Sequence, residues 1–160
     1  MFGVGPGNAD VMLVGEGPGD NEDKTGIPFS GPAGQLLNAM LEEAGLERDD
    51  LYITNIVKCR PNGNRVPTLV EVSICKPWLA RQIEIISPLI IVAIGNPAVQ
   101  TFFPNVKGGI TKFHGQFWTT QSGRTVMPLI HTAAALRNEE WIPLIQDDLH
   151  KLKRWLDEQR

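Results

Sequence analysis

The sequence predicts an α/β domain of three layers, α/β/α, around a central four-stranded, mostly parallel sheet. Three observations predict it. Four short apolar runs, at residues 11–14, 51–57, 89–94 and 126–130, are continuous rather than alternating, as strands covered on both faces are. Gly, Pro, Asn or polar residues bound each run. Helical patterns lie between them, giving the order β-α-β-α-β-α-β-α of a doubly wound sheet.

Each element has its own justification. Residues 11–14 form the first strand and run into the loop GEGPG at 15–19. Residues 32–44 place Leu36, Leu37, Met40, Leu41 and Ala44 on one helical face, and Gly45 stops the helix. The second strand, 51–57, holds one buried polar residue, Asn55. Residues 68–86 open with Pro67-Thr68 and Glu71, a capping-box spacing. Pro77 inside that pattern predicts a kink or two shorter helices. The third strand is 89–94, followed by a short helix at 97–103. Residues 112–120 offer an extra hairpin before the strand at 126–130. Trp141–Gln159 is an amphipathic terminal helix, with Trp141, Ile145, Leu149, Leu152 and Trp155 on one side.

The chain has 160 residues, enough for one domain with a real core, so residues 1–160 are read as a single domain. No window approaches 18 uninterrupted apolar residues, which argues against a membrane span. Residues 1–10 are Gly-rich, with no basic stretch and no apolar core, so they do not read as a signal peptide. A cytoplasmic monomer is the expectation. The formal net charge of −3 does not announce a nucleic-acid partner, but its distribution is uneven. Lys58, Arg60, Arg65 and Lys76 face one acid, Glu71, across residues 58–76. A small basic face suffices if only a few phosphates are gripped.

Sheets of this class bind ligands beyond the carboxyl ends of their strands. The residues there are the loop 15–19, Asn55, Lys58-Cys59-Arg60-Pro61, Gly95-Asn96-Pro97 and His131-Thr132-Ala133. The loop 15–19 has the wrong spacing for a dinucleotide fingerprint, and Pro18 removes a donor that a phosphate would use. The chain also has no Gly-Lys-Ser/Thr. Those absences weigh against an unrelated nucleotide-binding enzyme. Glu16 and Glu22 on one strand-end loop are able to orient a water, or are simply solvated. Asn55 either ties down a neighbouring loop or reads the edge of a planar ligand with adjacent acceptor and donor. His131 stands where catalytic groups gather in this fold class, or is a structural histidine at a strand end. Cys59 and Cys75 are expected to be reduced thiols.

The stretches 15–23 (GEGPGDNED), 26–37 (GIPFSGPAGQLL), 54–67 (TNIVKCRPNGNRVP), 75–82 (CKPWLARQ), 90–95 (IIVAIG) and 131–138 (HTAAALRN) together resemble the uracil-DNA glycosylase superfamily, specifically its family 4, the thermostable iron–sulfur branch. The resemblance runs over nearly the whole chain. It implies a monofunctional N-glycosylase of DNA repair, acting on uracil in single- or double-stranded DNA. It makes Phe29 the platform for a flipped uracil and Asn55 the reader of its edge. Glu22 becomes the carboxylate that closes the pocket and helps exclude thymine, and Asn64 a further polar site residue. Glu16 and Gly17 occupy the water-positioning segment, and His131 donates to uracil O2. Leu136 and Arg137 lie in the loop that enters the minor groove, while Lys58, Arg60 and Arg65 belong to the DNA-facing stretch.

The same resemblance implies a [4Fe–4S] cluster on four cysteines, of which only Cys59 and Cys75 have counterparts here. The expectation is therefore no cluster, through truncation or natural loss, unless other ligands substitute. No cofactor is needed for the chemistry. Thr132 stands where the family usually has Pro, which predicts a looser loop after His131. On that ground the alternative function is a uracil-DNA-binding module of the same fold with little turnover.

Overall fold

The structure, a computed structural model, describes residues 2–59 and 66–159. Strands β1 (Val11–Gly15), β2 (Tyr52–Asn55), β3 (Ile90–Ile94) and β5 (Thr125–Leu129) are parallel, and the short β4 (Trp118–Thr119) runs antiparallel at one edge. The sheet order is β2-β1-β3-β5-β4. The four expected parallel strands are thus present, and the sheet has a fifth. Its hairpin falls slightly later than the pattern suggested, with Trp118 opposite Val126 and a turn closed by the Thr120 N–H to the Arg124 carbonyl at 2.8 Å. Two residues are too short a run to carry a hydrophobic signature.

Every residue of β1 and β3 is buried, which is why those runs are continuously apolar. β2 lies at the opposite edge from β4. Its outer side is covered in part by Val4, which exchanges hydrogen bonds of 3.0 and 2.9 Å with Ile53.

The helices are α1 (Asp20–Thr25), α2 (Pro32–Glu43), α3 (Leu69–Ile86), α4 (Asn96–Phe102), α5 (Ile110–Phe113), α6 (Thr132–Arg137) and α7 (Trp141–Gln159). The chain steps one way from β1 to β2 and the other way from β2 to β3. Right-handed crossovers in opposite directions put α2 and α3 on opposite faces, which makes the three layers. α2 packs with α6 and α7, while α3 and α4 share an apolar groove over Ile91.

α3 is one continuous helix with Pro77 inside it, so of the two expected alternatives the pair of shorter helices is overturned. Pro77 and its neighbours Ser73, Lys76 and Trp78 are exposed, so water can take the Ser73 carbonyl that Pro77 cannot serve. The capping box is as the spacing predicts. Thr68 Oγ1 accepts from the Glu71 N–H at 3.2 Å, and the Glu71 carboxylate accepts from the Thr68 N–H at 2.8 Å. Helices α1, α5 and α6 are too short for periodicity to reveal.

Candidate active site

Parallel pairing brings the carboxyl ends of β1, β2, β3 and β5 to one edge of the sheet, and the candidate residues follow them. Glu16 and Gly17 leave β1, Asn55 ends β2, Gly95 leaves β3, and His131 lies two residues beyond β5. A cleft of about 650 Å³ opens there. Glu16, Gly17, Glu22, Phe29, Asn55, His131 and Arg137 all line it.

Phe29 is buried and has φ +54°, a left-handed backbone that bulky residues rarely adopt. Its neighbours require that conformation. The Glu22 carboxylate accepts from the Gly19 N–H at 2.9 Å on one oxygen. On the other it accepts from the Ser30 N–H at 3.0 Å, the Ser30 hydroxyl at 3.1 Å and the Gly31 N–H at 2.7 Å. Glu22 therefore joins the loop after β1 to the loop carrying Phe29. Gly34 completes the seat: a Cβ there would lie 1.7 Å from the Phe29 carbonyl oxygen.

Gly15 sits opposite Asn55 in the β1–β2 ladder. A Cβ on Gly15 would lie 2.6 Å from both Asn55 Oδ1 and Phe29 Cζ, so the amide and the ring border one another across the missing side chain. Asn55 is 4% exposed, and its carboxamide makes no hydrogen bond to any described residue. A nearly buried amide with free donors and acceptor, opening on a cleft, is suited to a ligand that supplies both.

The His131 ring lies 5.8 Å from the Phe29 ring, centroid to centroid, tilted by 33°. Its Nδ1 accepts from the Ala133 N–H at 3.0 Å, so His131 caps α6 with its own side chain. That bond assigns the neutral imidazole's proton to Nε2. Burial, reinforced by the nearby Arg137 cation, pushes the His131 pKa down to about 4. The ring is therefore a neutral donor at physiological pH.

Glu16 is beside it. A Cβ on Gly95 would lie 3.0 Å from Glu16 Oε1 and 3.6 Å from His131 Cβ. Burial raises the Glu16 pKa above the usual carboxylate value. Asn55, Phe29, His131 and Glu16 thus line one cleft as neighbours.

The Uracil DNA glycosylase superfamily matches residues 2–157. A protein of Thermotoga maritima named type-4 uracil-DNA glycosylase is 45% identical over 157 residues, covering 96% of this chain and 82% of that protein. Its namesake in Sulfurisphaera tokodaii is 43% identical over 158 residues, covering 94% and 72%. The chain belongs to the uracil-DNA glycosylase superfamily.

Of the remaining expected site residues, the structure corrects one, Lys58. Lys58 was expected on a DNA-facing surface, but it is buried. Its Nζ donates to Gln82 Oε1 at 2.6 Å, Thr54 Oγ1 at 2.7 Å and the Asn55 carbonyl at 2.9 Å, with Phe2 O at 3.4 Å. Enclosure pushes its pKa down to about 8. With its ammonium consumed inside the protein, Lys58 has no reach to a phosphate; it braces the end of β2.

Arg60, Asn64 and Arg65 lie outside the described residues. Leu136 and Arg137 are exposed at the end of α6, and Arg137 also reaches the cleft. Thr132 does not loosen that segment. It is fully buried, and its hydroxyl donates to the Ala33 carbonyl at 2.7 Å, tying the start of α6 to α2. Arg48, missed in the sequence, packs behind Phe29.

A [4Fe–4S] cluster takes four thiolates. The chain has two cysteines, Cys59 exposed and Cys75 buried, with the Cys75 thiol accepting from the Lys58 N–H at 3.4 Å. Among the described residues no group of three or more His, Cys, Asp or Glu is placed to hold a metal. These residues do not fit a four-thiolate cluster.

Proposed function

We propose that this protein excises uracil from DNA by hydrolysing the bond between uracil N1 and deoxyribose C1′, leaving an abasic site. The observation that carries this reading is the convergence of Phe29, Asn55 and a neutral, Nε2-protonated His131 on one cleft at the strand ends.

A base inside a duplex is out of reach, so the deoxyuridine must swing into the cleft at a cost of a few kcal/mol. Phe29 offers its ring face to the uracil. Asn55 accepts from uracil N3–H and donates to O4. Cytosine presents the reverse pattern and leaves the buried amide mispaired, which costs about 1–3 kcal/mol. Glu22 acts indirectly, by fixing the loop that sets the pocket's shape against bulkier bases.

As the glycosidic bond breaks, its electron pair goes to uracil and positive charge develops on the sugar. His131 Nε2–H donates to uracil O2, where much of the negative charge collects. Glu16 faces the developing cation and orients water. That water's oxygen bonds to C1′, its proton leaves through Glu16, and uracil is released protonated at nitrogen. Leu136 and Arg137 occupy the opening left in the DNA.

The test is release of free uracil from a uracil-containing oligonucleotide, single-stranded and as a U·G duplex, with alkali cleavage at the resulting abasic site. Strand cleavage only after alkali is the expected result. Tight binding of uracil DNA with no base released would instead identify a binding module.

A further inference from the structure

We propose that Arg48 is a positioning residue for uracil recognition: its guanidinium holds the backbone of Pro28 and Phe29 in the conformation that presents the Phe29 ring to the cleft. The inference rests on the reading of Phe29 as the uracil platform and deepens it.

Arg48 does not line the cleft. It begins the short 3₁₀ turn Arg48–Asp50 between α2 and β2. One guanidinium nitrogen donates to the Phe29 carbonyl at 3.1 Å and to Asn38 Oδ1 on α2, and the other donates to the Pro28 carbonyl. Two consecutive carbonyls are thus gathered by one planar fork, whose orientation Asn38 fixes.

The following residues are gathered from the opposite side by an anion. Ser30 N–H and Gly31 N–H both donate to the Glu22 carboxylate, and Glu22 in turn favours the Arg48 charge. The Pro28 and Phe29 carbonyls thus face a cation, and the Ser30 and Gly31 amides face an anion. Between these two clamps lies Phe29 with φ +54°, one of two described non-glycine residues with positive φ. A left-handed aromatic residue persists only where its surroundings over-determine it, and such strain concentrates where a side chain must be aimed. Arg48 and Glu22 supply that determination. Half-burial lowers the Arg48 pKa from its usual value without threatening its charge.

Lysine cannot replace this arrangement, because one ammonium is a point charge without the planar fork. Loss of the fork frees the Phe29 carbonyl and lets the ring drift from the position that Asn55 and His131 share. Misplacement by about 1 Å costs on the order of 10²-fold in rate.

The experiment is a double-mutant cycle on uracil release from a single-stranded uracil oligonucleotide, combining Arg48→Met with Phe29→Gly. Phe29→Gly removes the ring and accepts positive φ. Arg48→Met alone is expected to lower kcat/KM by about 10- to 100-fold, and to weaken inhibition by free uracil by a similar factor. Affinity for abasic-site DNA should stay within about twofold. In the Phe29→Gly background the same substitution is expected to change kcat/KM by less than about twofold, since the residue it acts through is gone.

Should Arg48→Met fail to fold, Arg48→Lys takes its place, with an intermediate loss in the first background and the same silence in the second. Wild-type kcat/KM in the single variant, or an equal loss in both backgrounds, overturns the proposal. Absence of uracil release by the unmodified protein would instead overturn the functional reading on which it rests.

Discussion

Gly15→Ala puts a methyl group against both Asn55 and Phe29, two walls of the proposed slot. The structure sets the size of the effect. The new Cβ would lie 2.6 Å from Asn55 Oδ1 and 2.6 Å from Phe29 Cζ, with Phe29 Cε2 at 3.0 Å. Comfortable contact between carbon atoms is about 3.5–4.0 Å, so the ring and the amide must together yield roughly 1 Å. Neither moves freely: Phe29 is clamped through Glu22 and Gly34, and Asn55 belongs to a strand whose end is braced by Lys58. Overpacking of this kind costs about 1–3 kcal/mol of stability, a fall in Tm of roughly 2–12 °C for a domain of this size. The protein should remain folded. Displacing reader and platform by such a distance should lower kcat/KM for uracil release on the order of 10²-fold. The assay is base release under single-turnover conditions, with Tm measured on the same sample. A Gly15→Ala protein that excises uracil at the wild-type rate would show that Asn55 and Phe29 do not jointly form the slot.

Four further outcomes follow from the same geometry. Asn55→Asp should weaken preference for uracil and gain some release of cytosine, because a protonated acid can serve cytosine's acceptor; a base-release assay on paired uracil and cytosine substrates checks this, and undiminished uracil preference counts against Asn55 as the reader. His131→Ala should lower turnover about 10²- to 10³-fold, the scale of one lost oxyanion-type donor, in single-turnover kinetics. For pH, His131 stays neutral down to about 4, so an acid limb in kcat/KM at higher pH than that should belong to the Glu16 carboxyl, which burial raises, and should vanish in Glu16→Gln. Linkage adds a sign for stability: the unfolded His131 takes up its proton near 6.5 and the folded one only near 4, so Tm should fall as pH drops through that window, and His131→Gln should flatten the fall.

What the sequence disclosed follows from which physical signals are local. The strands at 90–94 and 126–129 were legible because burial on both faces demands continuous apolar residues. Asn55 and His131 were legible because each is a polar residue at a strand end, where this fold collects ligands. Lys58 was misplaced because its fate depends on Gln82 and Thr54, and Gln82 lies 24 residues away. A lysine following an apolar run carries no mark of where its ammonium points. Thr132 misled for a similar reason: the partner that holds it, Ala33, is 99 residues earlier. Arg48 gave no signal at all, since the carbonyls it serves belong to another loop. The positive φ of Phe29 was equally hidden, because the clash that reserves Gly34 as glycine appears only once the loop is folded.

The most direct measurement is a crystal structure of the protein bound to an oligonucleotide carrying a non-hydrolysable deoxyuridine analogue. The account predicts an extruded uracil lying on the Phe29 ring, its N3 and O4 within hydrogen-bonding distance of the Asn55 carboxamide and its O2 within reach of His131 Nε2. A uracil that remains stacked in the DNA, or that enters the protein away from these three side chains, would contradict it.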